Sequence, residues 1–270
     1  GLFYPEGGWV HPPALCHWQA GQPGVRLLAH HEVLQLRRCD GQWQALDGQR
    51  VLAEAPVVVL AGAAEIQRFE GSAGLPLKRI RGQITRLPVT SASQALQTVV
   101  CADGYVAPPR HGEHTLGASF DFHSTDTTPT EAEHRSNLEL LREISPDLAE
   151  RLDIDHQDPR HLQGRAAFRC TSPDYLPLVG PLADAGVFAE TYAALTKNAR
   201  QIPDEPCPWL DGLFINSGHG SRGLITAPLC GELVAAWING DALPVPREMA
   251  EACHPNRFML RSLKRQTAQS

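Results

Sequence analysis

Leu213-Phe-Ile-Asn-Ser-Gly-His-Gly-Ser-Arg-Gly-Leu-Ile-Thr-Ala-Pro228 reads as three elements in immediate succession. Leu213 to Asn216 is a short apolar run of the kind buried in a sheet. Gly218 to Gly223 is a glycine loop, and a helix is predicted from about Leu224 to Ile238, closed by Asn239-Gly240. Gly218, Gly220 and Gly223 remove side chains where a flat ligand could lie. The helix start offers unpaired N–H groups and a positive dipole end, which favour an anion or an electron-rich carbonyl. On spacing alone the loop reads more readily as a structural turn than as a ligand loop.

Working outward, Val57-Val-Val-Leu60 ends in Ala61-Gly-Ala-Ala64, a pattern expected of a central parallel strand buried on both faces. Before it, Val25 to Arg37, Gln42 to Leu46 and Gln49 to Leu52 look like a meander with turns at Cys39-Asp-Gly41 and Leu46-Asp-Gly48. A short helix is expected around Ala14 to Ala20. Gly82 to Leu87, Leu96 to Cys101, Tyr105 to Ala107 and Thr115 to Ser119 suggest an antiparallel sheet. Thr130-Glu-Ala-Glu133 is a capping box opening a helix with Leu138, Leu141 and Ile144 on one face.

Ala166 to Arg169 is a further strand, followed by a Ser172-Pro-Asp turn. An arginine at the end of an apolar strand can present its charged fork to a carboxylate, either a ligand's or a protein acid's.

Other chemistries find little support. Ser119, Ser217 and Ser221 lack a nucleophile elbow. The 12 histidines show no metal-ligand spacing, so no metal site is assigned. Seven cysteines without a C-x-x-C pair read as reduced thiols. No run approaches the roughly 20 apolar residues of a membrane span, and nothing resembles a secretion signal, so no membrane partner and a cytoplasmic location are expected. A net charge of −6 argues against a general polyanion binder. Arg257, Arg261, Lys264 and Arg265 would nonetheless share a face of a helical tail, either a local basic surface or a solvated end.

Gly7-Gly-Trp-Val-His-Pro12, Val57 to Gly62, Arg81-Gly-Gln83, Arg169 to Gly180 and Phe214 to Pro228 occur in the order and approximate spacing seen in the glycine/D-amino-acid oxidase (DAO) family of flavoproteins, which the chain resembles across nearly its whole length. GLFYPEGGWV, FRCTSPDYLPLVG, GHGSRGLITAPLCGELVAA and HPNRF look closer still to the C-terminal oxidoreductase module of bifunctional tRNA-modification proteins. The resemblance implies an α/β (α+β) fold. A Rossmann-like FAD-binding domain would comprise residues 14–79 and 171–270, interleaved with an antiparallel substrate domain of residues 80–170 plus 1–13. Family members open with a strand, a G-x-G-x-x-G turn and a helix that bind the FAD pyrophosphate. No such pattern is present, so the sheet is expected to lack its first βαβ unit and to expose an unpaired edge.

FAD is the implied cofactor. The implied substrate is tRNA carrying 5-carboxymethylaminomethyl-uridine, often 2-thiolated, at the wobble position, from which the carboxymethyl group is removed. A fused methyltransferase module, using S-adenosylmethionine, would methylate the exposed amine. By the same carry-over Arg169 would clamp the substrate carboxylate. Gly218, Gly220, Ser221, Arg222, Gly223 and Leu224 would line the isoalloxazine edge. Val33, in the strand after His31-Glu32, would approach the adenine; Ala61 and Gly62 would flank the cofactor, and Gln83 would face the ring. No general base is assigned. The alternatives are an oxidase of free glycine or sarcosine, and a tRNA-binding remnant without flavin.

Overall fold

The computed structural model describes residues 1–201 and 203–267. In chain order, α1 (Pro12–Ala20) precedes β1 (Gln35–Cys39), β2 (Gln42–Asp47), β3 (Arg50–Ala55) and β4 (Val58–Leu60). Next come β5 (Lys78–Pro88), β6 (Val100–Cys101), β7 (Tyr105–Val106) and β8 (Glu113–Gly117), then α2 (Glu131–Ile144) and α3 (Pro146–Arg151). They are followed by β9 (Gln163–Thr171), β10 (Leu178–Ala183), α4 (Ala185–Thr191) and β11 (Trp209–Ser217). The last described helices are α5 (Gly223–Asn239), α6 (Arg247–Cys253) and α7 (Arg257–Thr267). None of the described helices is long and apolar enough to cross a membrane.

The chain divides into two compact units, one of Gly1–Leu27 with Ile80–Arg169, the other of Leu28–Arg79 with the chain from Cys170 onward. The first division therefore falls after Leu27 rather than after residue 13, and α1 goes with the antiparallel unit.

The antiparallel unit holds a five-stranded sheet in the order β6-β7-β8-β5-β9. β5 and β8 pair antiparallel from Ile84↔Gly117 to Pro88↔Glu113. Leu87, Val106 and Leu116 on the sheet pack against Leu138 and Leu141 of α2 and Leu148 and Ala149 of α3. α2 starts where the capping box predicts: the Thr130 hydroxyl accepts from the Glu133 amide at 3.3 Å.

The second unit carries a three-stranded sheet, β10-β11-β4, and the β1-β2-β3 meander. β11 runs antiparallel to β10 and parallel to β4, with Leu213↔Val58 and Ile215↔Leu60. Leu213 and Ile215 bury one face of β11 with Leu178, Leu182, Trp43 and Ile66. On the other side Val179 packs with Cys230, Leu233 and Val234 of α5 and Ala250 of α6. A strand covered on both faces reads as a continuous apolar run, which is why Leu213 to Asn216 lacks alternation. α5 ends at Gly240, whose left-handed φ of 71° suits glycine.

Two expectations for this unit need correction. The strand expected over Val25 to Arg37 begins only at Gln35; Val33 precedes it, and His30 takes a left-handed φ of 61° that interrupts extended backbone. β4 is not covered on both faces: it ends the sheet order, and Val59 is exposed.

Candidate functional site

The parallel pair β4 and β11 ends at two loops. β4 leads into Ala61 and Gly62, both exposed, and then a 3-10 helix, Ala63–Arg68. β11 leads into Gly218, a 3-10 turn over Gly220–Arg222, and α5. The Ser217 hydroxyl donates to the Ala63 carbonyl at 3.2 Å, tying the loops together. Crevices beyond the carboxyl ends of parallel strands are where open α/β sheets bind ligands.

Gly218 and Gly220 have φ of 76° and 58°, so a side chain at either would be strained. Gly223 differs. It is right-handed helical, and a Cβ there would meet nothing nearer than 3.6 Å. Packing of the chain itself therefore does not require glycine at 223, whereas close approach of a flat ligand would. The first turn of α5 has no side-chain cap, leaving its amides available.

His219 fixes the loop from inside. Its Nε2 lies 2.9 Å from Asn216 Oδ1, and its Nδ1 lies 2.8 Å from the Thr226 hydroxyl in the first turn of α5. Burial pushes the imidazole pKa below its ordinary value, so the ring is neutral at neutral pH. A neutral ring donating through Nε2 and accepting at Nδ1 satisfies both contacts.

Arg68, at the end of the 3-10 helix that follows Ala61 and Gly62, donates to Glu32 at 2.7 Å and to the Val33 carbonyl at 3.4 Å. Ser221, Arg222 and Leu224 are exposed beside the loop. Ala61 and Gly62, and Gly218 to Leu224, thus follow the carboxyl ends of the parallel strands beside the N-terminus of α5, a setting whose chemistry fits FAD.

In the antiparallel unit, β8 is extended beyond its last paired residue. The Ser119 amide donates to the Gln83 carbonyl at 3.2 Å, and Arg81 and Asp121 exchange backbone bonds at 2.9 Å. Phe120 thus stands opposite Gly82. The Arg169 guanidinium occupies the space over Gly82, its Cζ 4.2 Å from the Phe120 ring centroid and its Nη1 donating to the Ser119 carbonyl at 3.3 Å. Burial lowers the guanidinium pKa, an effect opposed by nearby Tyr105, and the group stays cationic. Among the described residues no carboxylate ion-pairs with Arg169.

Gln83 does not present its side chain to a ligand. It is fully buried; its amide nitrogen donates to the Thr130 carbonyl at 2.9 Å and its amide oxygen accepts from the Thr130 amide at 2.7 Å. Arg81, 2% exposed, donates to the carbonyls of Asp126 and Thr128 and pairs with Glu133. Glu133 also accepts from the Ser119 hydroxyl at 2.6 Å. Arg81 and Gln83 therefore staple the segment from Ser119 to Thr130, which carries Phe120.

The tail likewise departs from an open basic face. Arg257 is buried and bidentate to Asp174, at 2.8 and 3.1 Å, and Arg261 pairs with the same carboxylate. Burial alone would raise the Asp174 pKa, but hydrogen bonds from Arg257, Arg261 and Ser172 hold it far below the ordinary carboxylate range. Lys264 and Arg265 remain exposed.

In one unit, glycine loops at the ends of parallel strands, and in the other, an arginine on an antiparallel sheet with no acid partner among the described residues, are features expected of a flavin-dependent oxidoreductase of the amino-acid oxidase type. The chain belongs to the FAD dependent oxidoreductase (DAO) family, whose pattern matches residues 1–237. It is 74% identical over 265 residues to the tRNA 5-methylaminomethyl-2-thiouridine biosynthesis bifunctional protein MnmC of Pseudomonas fluorescens, and 72% identical to that of Pseudomonas entomophila. Each alignment covers 98% of this chain and 40% of the relative, so the chain spans about 40% of the length of the curated relatives it matches. Among solved structures, the fold is similar to glycine oxidase from Geobacillus kaustophilus, with TM-score 0.64 and 20% identity over 90% of this chain and 56% of that one. It is also similar to iminodiacetate oxidase from Chelativorans, with TM-score 0.57 and 22% identity over 82% of this chain and 52% of that one.

Proposed function

We propose that this chain is the oxidoreductase module that removes the carboxymethyl group from 5-carboxymethylaminomethyl-uridine, with or without 2-thiolation, at the wobble position of tRNA. The supporting observation is Arg169: a half-buried, permanently charged fork with no acid partner among the described residues. The substrate's side arm is an N-substituted glycine, and its carboxylate matches that fork. The curated relatives are named for the biosynthesis of 5-methylaminomethyl-2-thiouridine in tRNA, a uridine with the same 5-aminomethyl arm.

Arg169 orients the carboxylate and thereby the adjacent methylene carbon. Phe120 and the Ser119 carbonyl fix the guanidinium from its other sides. Ala61, Gly62, Gly218, Gly220, Ser221, Arg222, Gly223 and Leu224 would hold the cofactor, and Val33 would serve its adenine. The amides opening α5 favour negative charge on a bound ring. FAD, when bound, supplies the two-electron acceptor for the C–H bond of that methylene. Loss of hydride from the carbon and a proton from the amine leaves an imine, which water cleaves to the aminomethyl-uridine and glyoxylate. The methyltransferase, its S-adenosylmethionine and the tRNA itself are the partners this reading requires; no membrane partner is included.

The test is anaerobic bleaching of the flavin near 450 nm by tRNA bearing the modified uridine, with glyoxylate measured after aerobic turnover. Arg169→Ala is expected to raise KM and lower kcat, and Arg169→Lys to recover little, because a point charge cannot reproduce the planar fork. Bleaching by N-methylglycine but not by the modified tRNA would replace this reading with a free-amine oxidase.

A further inference from the structure

The segment after β8 presents two large aromatic side chains, the first against Arg169, that the protein core does not use. Phe120 is 53% exposed and Phe122 is 61% exposed. One face of Phe120 is covered by the guanidinium. Phe122 follows two residues on, at the bend that the Asp121 carboxylate closes over His123 and Ser124. Exposed phenylalanines on a flexible loop would carry no message, but this segment is held. Arg81 binds the carbonyls of Asp126 and Thr128, Gln83 binds both backbone groups of Thr130, and the Asp121 carboxylate accepts from the amides of His123 at 2.8 Å and Ser124 at 3.0 Å.

We infer that Phe120 and Phe122 form a stacking platform for the nucleobase that bears the carboxymethylamino group, making this segment the element that selects a nucleoside over a free amino acid. The inference rests on the function proposed above and adds to it the mode of base recognition. A ligand suited to this place has an anionic arm for Arg169 and a flat apolar body for the rings. A carboxymethylaminomethyl pyrimidine has both, whereas glycine and N-methylglycine have only the arm. Stacking needs no particular hydrogen-bond pattern, so one platform accepts uridine and 2-thiouridine alike.

The test uses the flavin-loaded protein and its Phe122→Ala, Phe122→Leu and Phe122→Tyr variants. kcat/KM is measured for an anticodon stem-loop bearing the modified uridine and for N-methylglycine, and stem-loop affinity is measured separately by fluorescence anisotropy. Loss of one stacked base predicts that the preference for the stem-loop over N-methylglycine falls about tenfold or more in the Ala and Leu variants. Stem-loop affinity is expected to fall in parallel, and Tyr, which keeps the π face, to restore both. A preference unchanged in Phe122→Leu, or an equal fall on both substrates in Phe122→Ala, overturns the platform. Failure of the wild-type protein to act on the stem-loop while it oxidises N-methylglycine instead overturns the underlying function.

Discussion

The Arg169 guanidinium sits where a side chain at Gly82 would be: a Cβ built on Gly82 would lie 2.0 Å from Arg169 Nη1 and 2.7 Å from the Ser119 carbonyl oxygen. The arginine end can swing away, but the carbonyl belongs to paired backbone and cannot. Gly82→Ala should therefore cost about 10- to 100-fold in kcat/KM, the worth of a charge-assisted carboxylate contact, while flavin content stays near wild type. Steady-state kinetics with the modified stem-loop checks this; wild-type kinetics in the variant would mean that Arg169 does not bind substrate in this position.

Glu133 should behave as a buried partner whose loss strands Arg81. Removing it in Glu133→Ala is expected to cost about 3 kcal/mol or more, and Arg81→Met with Glu133→Leu to cost less than either single change. Burial raises the Glu133 pKa, but hydrogen bonds from Arg81, Ser119 and Thr130 outweigh it and hold the carboxyl below its ordinary value. Its stabilisation is therefore complete above about pH 4.5 and is lost as pH falls through the lower folded-state value. Denaturant titrations at several pH values would show this decline in the wild type and its absence in Glu133→Gln.

Gly223→Ala separates ligand from fold. Its helical backbone and the space around its Cβ position accept alanine, so the melting temperature of the apoprotein should hold or rise, by up to about 1 kcal/mol in stability. FAD affinity should fall, because the added methyl occupies the approach to the first turn of α5. Flavin titration by fluorescence quenching measures it; unchanged affinity would remove Gly223 from the cofactor site.

His254 packs between Trp209 and Trp237, at centroid distances of 5.6 and 5.8 Å, and burial pushes its pKa down to about 4, helped by Arg257. The unfolded chain takes up this proton near pH 6.5 while the native one does not. Stability should thus decline as pH is lowered from about 6.5 towards 4. Melting curves across that range should be flatter for His254→Asn than for the wild type.

Much of the fold is legible in local patterns. The Thr130 capping box starts α2 as read, the turns at Gly41 and Gly48 bound the meander strands, and Gly240 ends α5. Propensity, capping and turn chemistry act over a few residues, so one chain segment contains the whole signal. Val25 to Val33 shows where that fails: an apolar stretch becomes a strand only if a partner pairs with it, and backbone pairing begins at Leu34, whose amide donates to the Leu46 carbonyl at 2.8 Å.

The candidate site divides the same way. Glycine spacing marks the loop at 218 to 223, and the Arg81-Gly-Gln83 triplet marks a place of interest without assigning its parts. Only long-range pairing shows that Gly82 makes room for Arg169, that Gln83 serves the α2 terminus, and that Arg257 is spent on Asp174. The chain's letters by themselves determined its elements, its glycine loop and its resemblance to flavin oxidases. Tertiary structure decided which charged and polar groups are already paired, because a partner 50 or 80 residues away leaves no trace in local sequence, and that pairing leaves Arg169 half-buried on its sheet with no acid partner among the described residues.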